Sequence, residues 1–182
     1  MDAAQRLADE VGLENLTLTA LAEDLGVRQP SLYKHIDSLD HLHRSLAVRA
    51  KTELASVLAT AAAGRAGPDA VRELAAAYRE WGLAHPGRYA VTVRAPDPGD
   101  AQDVAASAAV VAVVTRVLES LGIVREDAVH ATRALRSSLH GFMALETAGG
   151  FGLPEDVGES FRRMVDIVVA GLTMGLRAGH PR

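Results

Sequence analysis

Apolar residues recur along this chain at three- and four-residue intervals, and glycine and proline punctuate them into helices. Met1 to Val11 is predicted as a helix ended by Gly12. Thr17 is a candidate N-cap, because its hydroxyl can accept from a free backbone N–H of the first turn. Leu18, Leu21, Ala22 and Leu25 then give one apolar face, and Gly26 ends that helix. Val27 is predicted to pin the following turn into the core. A second short helix is predicted over Gln29 to Ile36, with Pro30 in its first turn and Leu32 and Ile36 facing inward. Ser38 caps a long helix to Ala63, with Leu42, Leu46, Ala50, Leu54 and Leu58 as one stripe.

GRAGP breaks the pattern, and Pro68 starts a helix through Val71, Leu74, Tyr78 and Trp81 to a stop at His85-Pro86-Gly87. A short helix over Arg88 to Arg94 leads to the loop APDPGD. Asp100 caps a helix to Leu121 that is apolar on nearly all sides and therefore predicted to be central and buried. Glu126 to Ala148 is the next helix, ended by Gly149-Gly150, and Pro154 to Ala178 is the last. There is no repeat and no strand pattern, so the fold class is all-α.

Composition narrows the class without naming a function. The chain has 182 residues, 48% of them hydrophobic and 23% charged, which describes a globular protein. A chain of this length buries roughly 70% of its unfolded surface. It has no cysteine, which excludes disulfides and thiolate chemistry and fits a reducing cytoplasm. No signal peptide is evident, and no apolar run is expected to span a bilayer; VDIVVAGLTMGL is short and contains Asp166. Net charge is −4 and the pI near 6.0, whereas many DNA-binding domains are basic. Position outweighs the sum, since Arg28 and Lys34 fall in the second short helix or at its edge.

The segment LTLTALAEDLGVRQPSLYKHIDSLDHL reads as a helix-turn-helix, in which the second helix is presented to enter a DNA major groove. Gln29, Pro30, Tyr33 and Lys34 share a side away from Leu32. Amide, phenol and ammonium groups there can meet base edges or phosphates. VRQPSLYKHI resembles the recognition helix of tetracycline-repressor (TetR) family regulators, and the order of elements fits along nearly the whole chain. SLHGFMALETAGGF resembles the ligand-sensing domain of the branch named for Trp, His and Gly (WHG) signatures. The resemblance implies a homodimeric, mostly repressive regulator of a double-stranded DNA operator, with an effector pocket. It implies base or sugar contacts from Gln29, Pro30 and Tyr33, and phosphate contacts from Thr17, Ser31, Tyr33, Lys34 and His35. Thr19 and Arg28 complete the expected DNA-facing set. Two features depart from the family pattern: Leu39 stands where many members have a lysine, and MDAAQRLADEVG begins without the usual basic arm. Either the true start lies upstream or the arm is lacking, and lacking it would lower affinity.

The last two helices carry a surplus of apolar surface: Val129, Leu135, Leu139, Phe142 and Met143 on one, and Phe161, Met164, Val165, Val168, Leu172 and Leu176 on the other. Gly171 and Gly175 sit one turn apart. Intrachain packing and a two-fold four-helix dimer interface both account for this, and the resemblance favours the second. Candidate effector-binding residues are Tyr78, Trp81, His85, Tyr89, Arg136, His140 and Met143, with Glu146 beside them. Trp81 and His85 are four apart, as are Arg136 and His140, so each pair is expected to share a helix face. An apolar pocket with a few polar groups is what a small molecule needs, although a core role explains each residue taken singly. His35, His41 and His43 do not converge as metal ligands. Histidine with Glu146 lacks a nucleophile or cofactor loop, so neither a catalytic site nor a cofactor is expected.

The sequence therefore predicts a helix-turn-helix domain over 1–48 and an effector-binding and dimerisation domain over 49–182. The expected protein is a cytoplasmic repressor released by a small effector, by a pendulum-like shift of the kind the family resemblance implies. Two competing expectations are a helical ligand-binding or enzymatic protein with a degenerate helix-turn-helix, and a regulator controlled by a protein partner.

Overall fold

The computed structural model describes residues 1–178, and side chains as far as Met174. These residues form α1 (Asp2–Val11), α2 (Leu18–Asp24), α3 (Gln29–Leu32), α4 (Leu39–Ala62), α5 (Gly67–Ala84), α6 (Pro86–Thr92), α7 (Ala101–Glu119), α8 (Glu126–Thr147) and α9 (Val157–Ala178). A 3₁₀ turn, Leu13–Asn15, follows α1 and was not foreseen in the pattern. No strand occurs among the described residues. The chain divides into two compact units, one of Met1–Ala55 with Ala84–Val110, the other of Ser56–Leu83 with the residues from Val111 onward.

In the first unit α1 lies against α6, and the sequence shows why they approach so closely. A Cβ on Gly87 would stand 2.0 Å from the Ala8 carbonyl oxygen, so only glycine lets the backbones meet there. Arg88 of α6 fastens the contact. Its backbone N–H and its Nε donate to Asp9 of α1 at 2.8 and 2.7 Å, and its guanidinium also donates to Glu53 of α4. Arg6 joins α1 to α2 through both oxygens of Asp24, at 3.0 and 2.8 Å. Beneath these polar ties Ala4, Leu7, Ala8, Leu16, Leu21, Leu42 and Leu46 are buried. The stripe expected on α4 is buried from Leu42 to Leu58.

The second unit is a helical bundle. Leu118, Ile123, Ala128 and Ala131 form one buried cluster, with Val114, Leu121 and Leu172 packed on it. Further along, Phe142 meets Phe151 with the rings tilted at 4.7 Å and meets Phe161 edge-on at 5.2 Å. These spacings suit favourable aromatic pairs. Caps bound the helices as the sequence suggests: Ser38 accepts from the His41 N–H, and Asp100 from the Gln102 and Asp103 N–H groups.

Several expectations need correction. Helix α7 is not a buried central helix. Asp103, Ala106, Val117 and Leu118 are buried, but Val104 and Val111 are 40% and 51% exposed. Alanine and valine on every side satisfy a buried pattern without enforcing one. By length and composition α7 is also apolar enough to cross a membrane, contrary to the sequence expectation; it carries the buried Asp103 and, in its last turn, Arg116. Leu25 and Val27, expected in the core, are 47% and 43% exposed, because the chain turns outward at Gly26. Helix α6 starts at Pro86 and ends at Thr92, while α9 starts at Val157, capped by Asp156, rather than at Pro154. Leu135, Leu139, Met143, Phe161 and Val165, read as surplus for an interface, are buried within the chain itself. Gly175 and Leu176 lie outside the residues whose side chains are described.

Candidate nucleic-acid interface

The reading unit is assembled by local backbone chemistry. Thr17 has extended backbone angles, and its Oγ1 accepts from the Ala20 N–H at 3.0 Å, which starts α2. Leu18, Leu21 and Ala22 anchor that helix. At its end the Gly26 N–H donates to the Glu23 carbonyl and the Val27 N–H to the Ala22 carbonyl, both at 3.0 Å. This pair of bonds closes a Schellman motif, and Gly26 supplies the positive φ of 65° it requires.

Helix α3 then begins with Pro30 in its first turn, where the missing N–H costs nothing. It is shorter than the sequence suggests. The α-helix ends at Leu32, and residues to His35 continue as turns held by the His35 and Ile36 N–H groups on the Leu32 carbonyl. Leu32 is 6% exposed and seats the element, with Ile36 half-buried behind it.

That one anchor leaves a polar face outward. Arg28, Pro30, Ser31, Tyr33, Lys34 and His35 are exposed and Gln29 is half-buried; Thr17 and Thr19 are exposed at the start of α2. Tyr33 is 50% exposed. Among the described residues no ion pair occupies Arg28 or Lys34, whereas Arg6 and Arg49 are held by Asp24 and Asp2. One nearby acid is neutralised in the same way, Asp24 by Arg6. The acidic total thus coexists with free cations on the reading face. Leu39 opens α4 half-buried.

The expected effector residues fall into two groups. Tyr78 and Trp81 of α5 and Met143 of α8 are buried in the second unit, with His140 half-buried and Arg136 exposed on α8. His85 and Tyr89 belong to the first unit. His85 lies beyond the end of α5, with φ −134°, so it does not continue the helical face of Trp81. Its Nδ1 is 2.5 Å from an Arg88 guanidinium nitrogen and 3.6 Å from Asp9. Glu146 is engaged by Arg79, whose Nε donates at 2.8 Å and whose guanidinium also sits 5.1 Å over the Phe161 ring. That hydrogen bond raises the arginine above its ordinary value.

Sequence reasoning missed three features. One is the Asp9–Arg88–Glu53 junction. Another is the buried pair of Lys51 and Asp103, 2.5 Å apart. The third is a set of buried polar atoms without a partner among the described residues: His43 Nε2, Ser107 Oγ and Thr132 Oγ1. A lysine between Ala50 and Leu54 on the buried stripe was the available signal for the second.

Residues 1–43 match the family described as bacterial regulatory proteins, tetR family, and residues 71–168 the tetracyclin repressor-like C-terminal domain. The chain is 37% identical over 183 residues to the uncharacterised HTH-type transcriptional regulator Rv0681 of Mycobacterium tuberculosis (strain ATCC 25618 / H37Rv), covering 100% of this chain and 80% of that protein. The chain belongs to the TetR family. It is a helix-turn-helix, DNA-binding transcriptional regulator, and the competing reading of an enzymatic protein is set aside, since this is a family of regulators. Among solved structures it is similar to the regulatory protein SCO4313, at 28% identity and a TM-score of 0.73, over 93% of this chain and 92% of that one. A TetR variant from Acinetobacter baumannii AYE, solved in complex with minocycline, shares the fold at 23% identity and a TM-score of 0.68, over 93% and 92% of the two chains. The finer WHG branch stays an expectation, since the C-terminal match names only the tetracyclin repressor-like domain.

Proposed function

We propose that this TetR-family protein is a homodimeric repressor in the cytoplasm that binds a pseudo-palindromic operator and is released by a small-molecule effector. The observation that carries the reading is the reading face itself: Leu32 seats α3, and Tyr33, Lys34 and His35 stand exposed beside Gln29 and Pro30. The functional division is a reader over 1–48 and a sensing and dimerising part over 49–182. Two equivalent readers related by a two-fold axis protect two half-sites about one helical turn apart. Selection of genomic DNA on the purified full-length protein, followed by footprinting, yields a symmetric protected site. An unsymmetric footprint, or none, counts against the reading.

The dimer is proposed on α8 and α9, through residues that the chain's own core leaves outside. Ile167 and Met174 are 71% and 70% exposed, and they share a helical face with Gly171, where an added Cβ meets nothing within 4 Å. Gly141 of α8 is equally open, and Leu145 is 54% exposed. Small residues flanked by large apolar ones permit close helix packing. Ile167→Glu therefore yields monomers in sedimentation at micromolar concentration, while the wild type sediments as a dimer. A dimeric Ile167→Glu protein removes this surface.

The effector is proposed to be a medium-sized, largely apolar molecule recognised within the second unit by Tyr78, Trp81, Arg136, His140 and Met143. The minocycline complex of the Acinetobacter protein supports the idea that this fold takes such ligands. Thr132 lies one turn before Arg136, and its partnerless buried hydroxyl adds a polar group to the same stretch of α8. The effector binds the non-binding conformation better and shifts the population toward it. Trp81 is the only tryptophan, so its emission reports this place alone. Effector binding shifts that emission and lowers DNA affinity, and His140→Ala removes both responses with DNA binding intact. An effector that releases DNA equally well from His140→Ala binds elsewhere.

A further inference from the structure

Within the first unit a cleft of about 680 Å³ opens beside the start of α4, in the size range of small-molecule sites. Part of its wall is apolar, from Leu13, Ala47, Val91 and Pro96. Arg44 and Arg94 also line it, and neither makes an ion pair or side-chain hydrogen bond among the described residues. His43 lines it as well, with a buried Nε2 that meets no partner. The remaining charges are largely committed. Lys51 and Asp103 neutralise each other, and Asp97 Oδ1 accepts from the Gly99 N–H at 2.9 Å.

We propose that this cleft binds a medium-sized organic carboxylate. Its carboxylate group meets the Arg44 and Arg94 guanidiniums, its hydrocarbon body lies on the apolar wall, and His43 Nε2 hydrogen-bonds its polar end. Guanidinium forks match the planar carboxylate, and a partnerless buried ring nitrogen is costly until a ligand satisfies it. Burial depresses the His43 imidazole below its ordinary value against the opposing pull of Asp40, and Arg94 adds to the depression. The ring is therefore neutral at pH 7, and each nitrogen keeps a defined donor or acceptor role. Asp40 and Asp97 share the wall and offset the two guanidiniums, so the lining carries no net charge. A single carboxylate held by guanidinium forks suits that lining better than a phosphate dianion, which the two acids on the wall would repel more strongly. The residues concerned are separate from the bundle residues assigned to the effector, so the two proposals stand or fall independently.

Octanoate is the probe, added to the full-length protein while the His43 ring resonances are followed by NMR. Saturable shifts are expected with octanoate, and much weaker ones with 1-octanol or inorganic phosphate. Arg44→Gln with Arg94→Gln weakens octanoate binding about tenfold or more, the scale of a lost charge-assisted pair. Both arginines are exposed, so the fold survives, which circular dichroism checks. Arg94→Lys is the second variant: it keeps the charge, loses the fork and binds more weakly than wild type. The proposal is overturned if octanoate leaves the His43 resonances in place or if the double variant binds as tightly as wild type. It is equally overturned if octanol or phosphate shifts those resonances at lower concentration than octanoate.

Discussion

Tyr33→Ala lowers affinity for the operator about tenfold or more, on the scale of 1–3 kcal/mol for a specific contact, and leaves the melting temperature nearly unchanged. The reasoning is structural on both counts. Tyr33 is half exposed and follows the last residue of α3, so its ring contributes little to the core, while the helix-turn-helix aims it outward. Lys34→Ala behaves differently. It weakens binding to all sequences by a similar factor and reduces the salt dependence by about one counterion, as expected for a phosphate contact. Gel-shift titrations at several salt concentrations separate the two patterns. The contrasting control is Leu32→Ala, which removes the buried anchor of α3 and costs about 2–5 kcal/mol of stability. Unchanged operator affinity in Tyr33→Ala would falsify the assignment of this face.

Lys51→Ala destabilises the protein by about 3–5 kcal/mol, the usual cost of stranding one partner of a buried ion pair. Lys51 and Asp103 are 3% and 5% exposed, and the second Asp103 oxygen accepts from the Asp97 N–H at 3.1 Å. Removing the ammonium leaves a carboxylate with one backbone donor and no counter-charge. The double variant Lys51→Met with Asp103→Asn recovers most of the loss, because methionine fills the lysine's volume and the amide oxygen still accepts from Asp97. Urea unfolding of the wild type, Lys51→Ala, Lys51→Met, Asp103→Asn and the double variant tests this, and additive losses in the double variant would show that the pair is not coupled. High salt changes little, since buried charges are weakly screened.

The sequence alone determined what depends on neighbours along the chain. Thr17, Gly26, Ser38 and Asp100 mark helix boundaries through bonds to residues at most a few positions away, and Pro30 marks one by lacking an N–H, so their chemistry is local and legible. The stripe from Leu42 to Leu58 and the seat of α3 at Leu32 are likewise periodic signals, and the motif around Tyr33 carried the family resemblance. Tertiary structure alone decided which of several suitable faces is covered. Helix α7 offers apolar residues on all sides, and only packing selects Val117 and Leu118 for burial while Val104 and Val111 face outward. Leu25 and Val27 satisfy the apolar pattern, yet a left-handed glycine between them sends both outward. The polar ties were illegible for the same reason: Arg88 reaches Asp9 across 79 positions and Glu53 across 35, and Lys51 reaches Asp103 across 52. A charged side chain reads in sequence as solvated. Only the fold, by removing water from around it and supplying an opposite charge, turns it into a structural bond.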